Sequence, residues 1–392
     1  MITVAEALSR VLALAPPPQP EAVRLSDAQG RALLEPAVAR LTQPPFDASA
    51  MDGYALRLQD LPGPLRVIGT SAAGHPWTGE ARPATALRIF TGAPVPAGYD
   101  HVELQENVLR EGDDITVMTR SAGRNIRQRG NDFSLGDQVR PKRPLSAADI
   151  GLLAAMNVPT VTVARRPVVA ILPGGDELVP PGAEPRPGQI VSSNDLAIAA
   201  LAREAGAEVR LLPIARDTEE SLVAGFQAAQ GADLLVTIGG ASVGDHDLIG
   251  KVAQEQGLDR AFYKILMRPG KPLMAGRLSN SALLGLPGNP VSAMVCGIAF
   301  MQPLIRAMQG LPPHLPLRRA RLARDLPPEG PRQHYLRASL AEGADLPLID
   351  PFADQDSARL SLMTQADALL VRPANDPAKS AGDLVDYIPL HL

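Results

Sequence analysis

Residues 233–247 read Asp-Leu-Leu-Val-Thr-Ile-Gly-Gly-Ala-Ser-Val-Gly-Asp-His-Asp. Residues 234–238 are apolar and partly β-branched, the composition of a strand buried on both faces. The run stops at Gly239-Gly240, and Ser242, Gly244, Asp245 and Asp247 follow. Glycines at a strand end allow a tight turn and let backbone N–H groups approach a ligand. Such amides suit a phosphate, and neighbouring carboxylates suit a hard cation such as Mg²⁺. By itself the segment is equally an ordinary Gly-rich βα turn with solvated aspartates, so its meaning depends on its surroundings.

After Pro167 the surroundings alternate strand and helix. Strands are expected at 168–172, 208–214, 234–238, 262–267, 273–275 and 282–286. Helices are expected from Asn194 to 205, behind Asp217-Thr218-Glu219-Glu220 to about 230, and from Asn289-Pro290 to about 308. This alternation predicts a doubly wound, largely parallel sheet, whose ligands bind beyond the carboxyl ends of its strands. Gly174-Gly175-Asp176-Glu177, Asp217 and the loop after Ile238 all fall at such ends.

The flanking regions differ. Thr3-Val4-Ala5-Glu6 is a capping box ahead of an apolar face of Val4, Leu8, Val11 and Leu12. A second helix is expected at 26–34, and a third opens at Ser146-Ala147-Ala148-Asp149. Between them, β-type runs at 65–69, 86–90, 101–108 and 114–118 predict a small β domain. Beyond residue 315, runs at 319–323, 334–340, 369–372 and 383–389 predict a small barrel or sandwich, without a clustered set of catalytic groups. The fold class is therefore α/β plus β and multidomain. Expected units are a framework of 1–40 and 138–165, a β-rich insertion of 41–137, an α/β subdomain of 166–314 and a C-terminal β unit of 315–392.

Composition narrows the function. At 392 residues and 45 % hydrophobic the chain has enough material for several cores. A net charge of -4 and 3 % aromatic residues argue against nucleic-acid binding. The sole cysteine, Cys296, allows no intramolecular disulfide and no thiolate cluster. No signal peptide is legible at the start, and the apolar stretch after Pro290 reads as too short for the ~20 residues of a membrane span. A soluble, cytoplasmic protein is expected.

The candidate groups share one logic. Carboxylates (Asp52, Asp132, Glu177, Asp217, Asp245, Asp247) suit a cation that in turn holds phosphates. Lys264 and Arg268-Pro269-Gly270-Lys271-Pro272 suit an oxyanion. No Ser–His–Asp arrangement is evident. Metal and oxyanion chemistry is expected rather than an acyl-enzyme.

Six segments, in order along the chain, resemble the bacterial molybdopterin molybdenumtransferases (MoeA type), relatives of the gephyrin E domain. They are Phe46-Asp47-Ala48-Ser49-Ala50-Met51-Asp52-Gly53-Tyr54-Ala55, Thr91-Gly92-Ala93-Pro94-Val95-Pro96, Gly175-Asp176-Glu177-Leu178, Gly239-Gly240-Ala241-Ser242-Val243-Gly244, Pro269-Gly270-Lys271-Pro272 and Gly285-Leu286-Pro287-Gly288-Asn289-Pro290-Val291-Ser292-Ala293. The resemblance implies a MogA-like molybdopterin-binding α/β subdomain, a C-terminal β-barrel and an elongated homodimer with its active site at the subunit interface. It implies a transferase that takes adenylylated molybdopterin and molybdate, inserts molybdenum and releases AMP with Mg²⁺. Carried over by motif, Asp52, Thr91, Asp132, Glu177, Asp217, Asp247, Lys264, Arg268 and Lys271 would line the catalytic pocket. Gly239, Gly240, Ser242, Gly244, Pro287, Gly288 and Pro290 would hold the pterin adenylate, and Glu177 and Asp247 the metal. Asp52 and Thr91 would reach in from the partner subunit. A molybdopterin adenylyltransferase upstream, and molybdenum-cofactor enzymes or carriers downstream, are the implied partners, with neither nucleic acid nor membrane.

Two positions depart from the family pattern. Arg268 stands where lysine is common, and Pro173-Gly174 where a Ser-Thr pair is common. A rigid guanidinium fork in place of an ammonium can shift oxyanion preference. A tungstate-specific insertase, a non-catalytic scaffold, and the adenylyltransferase that shares the α/β subdomain are the competing readings. The last is disfavoured by the Asp52 and Thr91 regions.

Overall fold

The apolar run Leu234–Ile238 is a strand, and all five of its residues are buried. It lies third in a six-stranded sheet ordered Glu208–Leu211, Val168–Pro173, Leu234–Ile238, Ser281–Leu286, Met274–Leu278, Asp259–Tyr263. The first four strands are parallel, Met274–Leu278 runs antiparallel to them, and Asp259–Tyr263 runs antiparallel to Met274–Leu278. Side chains alternate between two cores. Leu234, Val236 and Ile238 meet helices Val4–Leu12, Asn194–Glu204 and the 290–308 helix on one face. Leu235 meets helices Glu219–Ala228 and Leu248–Glu255 on the other. Each aliphatic side chain so buried contributes roughly 1.5–3 kcal/mol. The arrangement is the expected doubly wound layer. This computed structural model describes residues 1–239 and 248–390.

Three other bodies surround that layer. A six-stranded sheet is ordered His101–Leu104, Gly53–Leu56, Thr85–Ile89, Leu65–Ser71, Asp114–Val117, Val108–Glu111. The expected strand over 101–108 is split by a 3-10 turn at Gln105–Asn107. The framework joins distant segments. Pro20–Arg24 pairs with Thr160–Ala164, and Ala37–Val38 with Gln138–Val139, over a core that includes Leu25, Leu33, Leu145, Leu153 and Met156. The helix Val4–Leu12 instead buries Val4, Ala7 and Val11 on the α/β layer. The last body is a closed five-stranded barrel, because Gln333–Ala341 pairs with both Leu348–Pro351 and Ala368–Arg372.

One sequence expectation fails outright. The helix expected at 26–34 is a 3-10 turn, Leu25–Asp27. Its backbone is spent elsewhere: Gly30 N–H donates to Leu145 O, Leu34 N–H to Thr162 O, and Ala32 O accepts from Ala164 N–H. Tertiary pairing outweighs local propensity there. The helix expected from Asn289-Pro290 to about 308 forms over that length, which by length and composition alone is not too short for a membrane span. Pro290–Met308 is helical over 19 residues with mean hydropathy 1.5, but 78 % of it is buried inside the protein, as in a core helix. It stays continuous through a π-helical turn at Gly297–Met301, just ahead of Pro303, whose missing N–H leaves the regular ladder incomplete.

Candidate active site

The sheet changes direction between Val168–Pro173 and Leu234–Ile238, since the chain adds Glu208–Leu211 on one side and then returns to the other. Ligands of such sheets bind in the crevice at that switch point. Here the strand ends are laced through glycine backbone: Gly174 N–H donates to Ile238 O (3.0 Å), Gly175 N–H to Ala215 O (3.1 Å) and Gly239 N–H to Leu286 O (3.2 Å). Gly239 has φ 91°, and a Cβ there would stand 2.6 Å from Gly174 O, so only glycine fits.

Asp176 organises one rim, accepting Asp217 N–H at its carboxylate (3.2 Å) and Arg216 Nη1 at its carbonyl (3.0 Å). Glu177 and Asp217 are exposed beside it, and their carboxylates carry no hydrogen bond or ion pair among the described residues. On the opposite rim Asn194 Nδ2 donates to Gly288 O (2.6 Å). Asn289 Nδ2 reaches Ser357 Oγ (3.0 Å), and Val291 N–H reaches Ser357 O (3.1 Å). Ser357, on a barrel loop, is thus joined to the Pro287, Gly288 and Pro290 turn. The sequence reading passed over it because nothing in its spacing marks it. Gly240, Ser242, Gly244 and Asp247 lie outside the described residues.

The cations sit on a tightly held excursion. Lys264 N–H donates to Leu273 O, Ile265 N–H to Lys271 O, Leu266 N–H to Ile2 O, and Gln333 N–H to Leu266 O. Gly270 (φ 106°) lies over buried Cys296, with room for no Cβ: one would fall 2.5 Å from Sγ. Burial pushes the Cys296 thiol well above its ordinary value, so it is no nucleophile. The Lys264 ammonium stands 5.0 Å from the Tyr263 ring centroid. Neither Arg268 nor Lys271 has an ion pair among the described residues. Unpaired cations on a braced backbone are suited to oxyanions.

Asp52 and Thr91 meet on the β sheet. Asp52 Oδ1 accepts from Thr91 N–H (2.7 Å) and Thr91 Oγ1 (2.8 Å). These bonds, the backbone one first, hold the carboxyl below its ordinary value. Arg88 was not foreseen. It lies over Tyr54 (5.1 Å) and Phe90 (4.7 Å) and donates to Gly53 O, bracing the Asp52 turn. Loop 124–132 joins the same cluster through Ser49–Ile126 pairing and Arg129 N–H to Asp47 Oδ1. Asp132 is exposed at its end. Among the described residues no hydrogen bond or ion pair links Asp52, Thr91 or Asp132 to Glu177, Lys264, Arg268 or Lys271. Within one chain the hydrogen-bonded cluster is that of Asp52 and Thr91, and Glu177, Arg268 and Lys271 stand outside it.

No three His, Cys, Asp or Glu side chains converge among the described residues. A cation at the switch point that took one or two protein carboxylates, with substrate phosphates and water completing its shell, would be held in the usual mode for Mg²⁺. Glu177, an exposed hard-oxygen donor whose carboxylate has no partner among the described residues, fits that role.

Comparison with known proteins spans the chain. Residues 2–157 match the MoeA N-terminal region (domain I and II), 170–307 a probable molybdopterin binding domain, and 319–390 the MoeA C-terminal region (domain IV). A molybdopterin molybdenumtransferase from Haemophilus influenzae is 40 % identical, over 80 % of each chain. One from Nostoc sp. is 35 % identical over 95 % of this chain and 88 % of its own. A molybdopterin biosynthesis MoeA protein from Pyrococcus horikoshii superposes with TM-score 0.85 at 26 % identity, over 99 % of this chain and 100 % of that one.

Proposed function

The chain belongs to the molybdopterin molybdenumtransferase (MoeA) family and is a transferase of molybdenum cofactor biosynthesis; from that premise we propose that it inserts molybdenum from molybdate into adenylylated molybdopterin and releases AMP. The observation that carries this reading is the presence of two features in one subdomain. One is a glycine-laced switch point suited to a phosphate-bearing ligand. The other is a braced excursion bearing three cations, Lys264, Arg268 and Lys271.

In this reading Lys271 and Arg268 hold molybdate and the pterin phosphate, with Lys264 adding charge. The turn through Pro287, Gly288 and Pro290 receives the adenylate side. Glu177 and Asp247 would hold Mg²⁺, which when bound would offset phosphate charge. Asp52, kept ionised by Thr91, would come from a partner subunit; among the described residues no hydrogen bond or ion pair joins its cluster to the cations within one chain. The proposed assembly is a homodimer in the cytoplasm, supplied by a molybdopterin adenylyltransferase and serving molybdenum-cofactor enzymes or carriers.

The test is direct. Purified protein is incubated with adenylylated molybdopterin, Mg²⁺ and molybdate, and AMP is measured. Molybdate-dependent AMP release is expected. Release with tungstate alone, or none with either oxyanion, would overturn the proposal.

A further inference from the structure

The cation excursion is tied to the barrel at a charged junction. Met267–Arg268 pairs in parallel with Gln333–His334, which sets Arg268 beside His334. Paired residues on neighbouring strands share a face. On its other side His334 is the cross-strand partner of Arg372. That guanidinium is engaged with Asp376 and the carbonyls of Pro327 and Pro377. The junction's other carboxylate is Glu329. Its oxygens lie 3.1 and 3.2 Å from His334 Nδ1. A carboxylate only accepts, so Nδ1 carries the donated hydrogen. Burial, with a smaller push from Arg268 and Arg332, lowers the His334 pKa against the pull of Glu329. Arg268 and Arg332 therefore bear electrostatically on the same imidazole that binds Glu329, yet neither guanidinium has a hydrogen bond or ion pair among the described residues.

An arginine near a free carboxylate ordinarily closes a bidentate pair with it. Here the Glu329 carboxylate is bonded to His334, the strand partner of Arg268, and not to Arg268. We propose that His334 is a positioning residue for the oxyanion site: it occupies Glu329, keeps that carboxylate off Arg268, and so leaves the guanidinium free for molybdate. The inference rests on the placement of Arg268 in the oxyanion pocket.

The experiment measures molybdate binding to the full-length protein by calorimetry, with thermal midpoints recorded for every variant. Arg268→Ala is expected to weaken molybdate roughly fivefold or more, and His334→Ala to do the same; coupled neighbours commonly interact on this scale. Glu329→Gln alone should bind at least as tightly as the parent. The double variant His334→Ala/Glu329→Gln should recover affinity to within about twofold, because the amide carries no charge to neutralise Arg268. A merely structural role for His334 predicts no such rescue. If Arg268→Ala weakens binding but His334→Ala does not, or the double variant stays weak, the inference fails alone. If Arg268→Ala binds molybdate normally, the placement of Arg268 fails and takes the inference with it.

Discussion

At Asp52 two hydrogen bonds from one residue, Thr91, decide the chemistry of the carboxylate. A second residue pattern lies beneath it. Glu103 is fully buried on the strand paired with Tyr54, and it accepts from Asn107 Nδ2 (2.7 Å), Ser121 N–H (3.0 Å) and the Ser121 hydroxyl, with His101 Nε2 at 3.0 Å. Desolvation raises its pKa, but these hydrogen bonds outweigh it and hold the value at about 2 against an ordinary 4.5. A folded pKa below the unfolded one gives stability that is complete above about pH 4.5 and fades as pH falls toward 2. The difference corresponds to roughly 3 kcal/mol at neutral pH. Glu103→Gln is therefore expected to lose about that much in urea unfolding at pH 7, with the gap to the parent narrowing at pH 3.5. A gap of constant size across that range would refute the account. His101 and Glu103 alternate onto one strand face, which is visible in the sequence. Such polar alternation reads as a solvent face, and only the fold covers it.

Elements were legible where local chemistry and tertiary need agree. Ser146 accepts from Asp149 N–H while the Asp149 carboxylate accepts from Ser146 N–H, so the capping box written in the sequence is the one formed. Thr218 caps its helix by accepting from Ser221 N–H. Residues 26–34 show the opposite case, where backbone groups with helical promise are taken by partners more than a hundred residues away. The strand-to-loop junction at Gly239 belongs to this scale too. Its φ of 91° and the 2.6 Å approach of Gly174 O leave no space for a methyl group. Gly239→Ala is expected to destabilise the protein by roughly 1–3 kcal/mol, read as a lower thermal midpoint, and to lower AMP release further than the fold loss explains. A variant with parent-like midpoint and activity would show that the switch point tolerates a Cβ.

At the scale of the molecule the candidate residues belong to two different bodies, Asp52 and Thr91 to that of the β sheet of residues 53–117 and Glu177 and Lys271 to that of the α/β layer. If two chains complete one site, Asp52→Ala and Lys271→Ala proteins, inactive alone, should recover activity when unfolded together and refolded. Random pairing of a two-fold dimer gives half heterodimers, each with one intact site, so about a quarter of parent activity is expected. Absence of recovery in a confirmed heterodimer would mean that each chain builds its own site. The sequence by itself determined the doubly wound layer, because period-two and unbroken apolar runs set which faces must be buried, and it determined the glycine turns, because few backbones other than glycine accept those angles. It also carried the family resemblance in six local segments. Only the tertiary structure decided that the last body is a closed barrel rather than a sandwich, that Ser357 touches the Asn289 turn, and that Glu329 is held by His334 beside Arg268. Each of these joins residues far apart in the chain or depends on which strand closes on which, and local periodicity carries no information about such pairings.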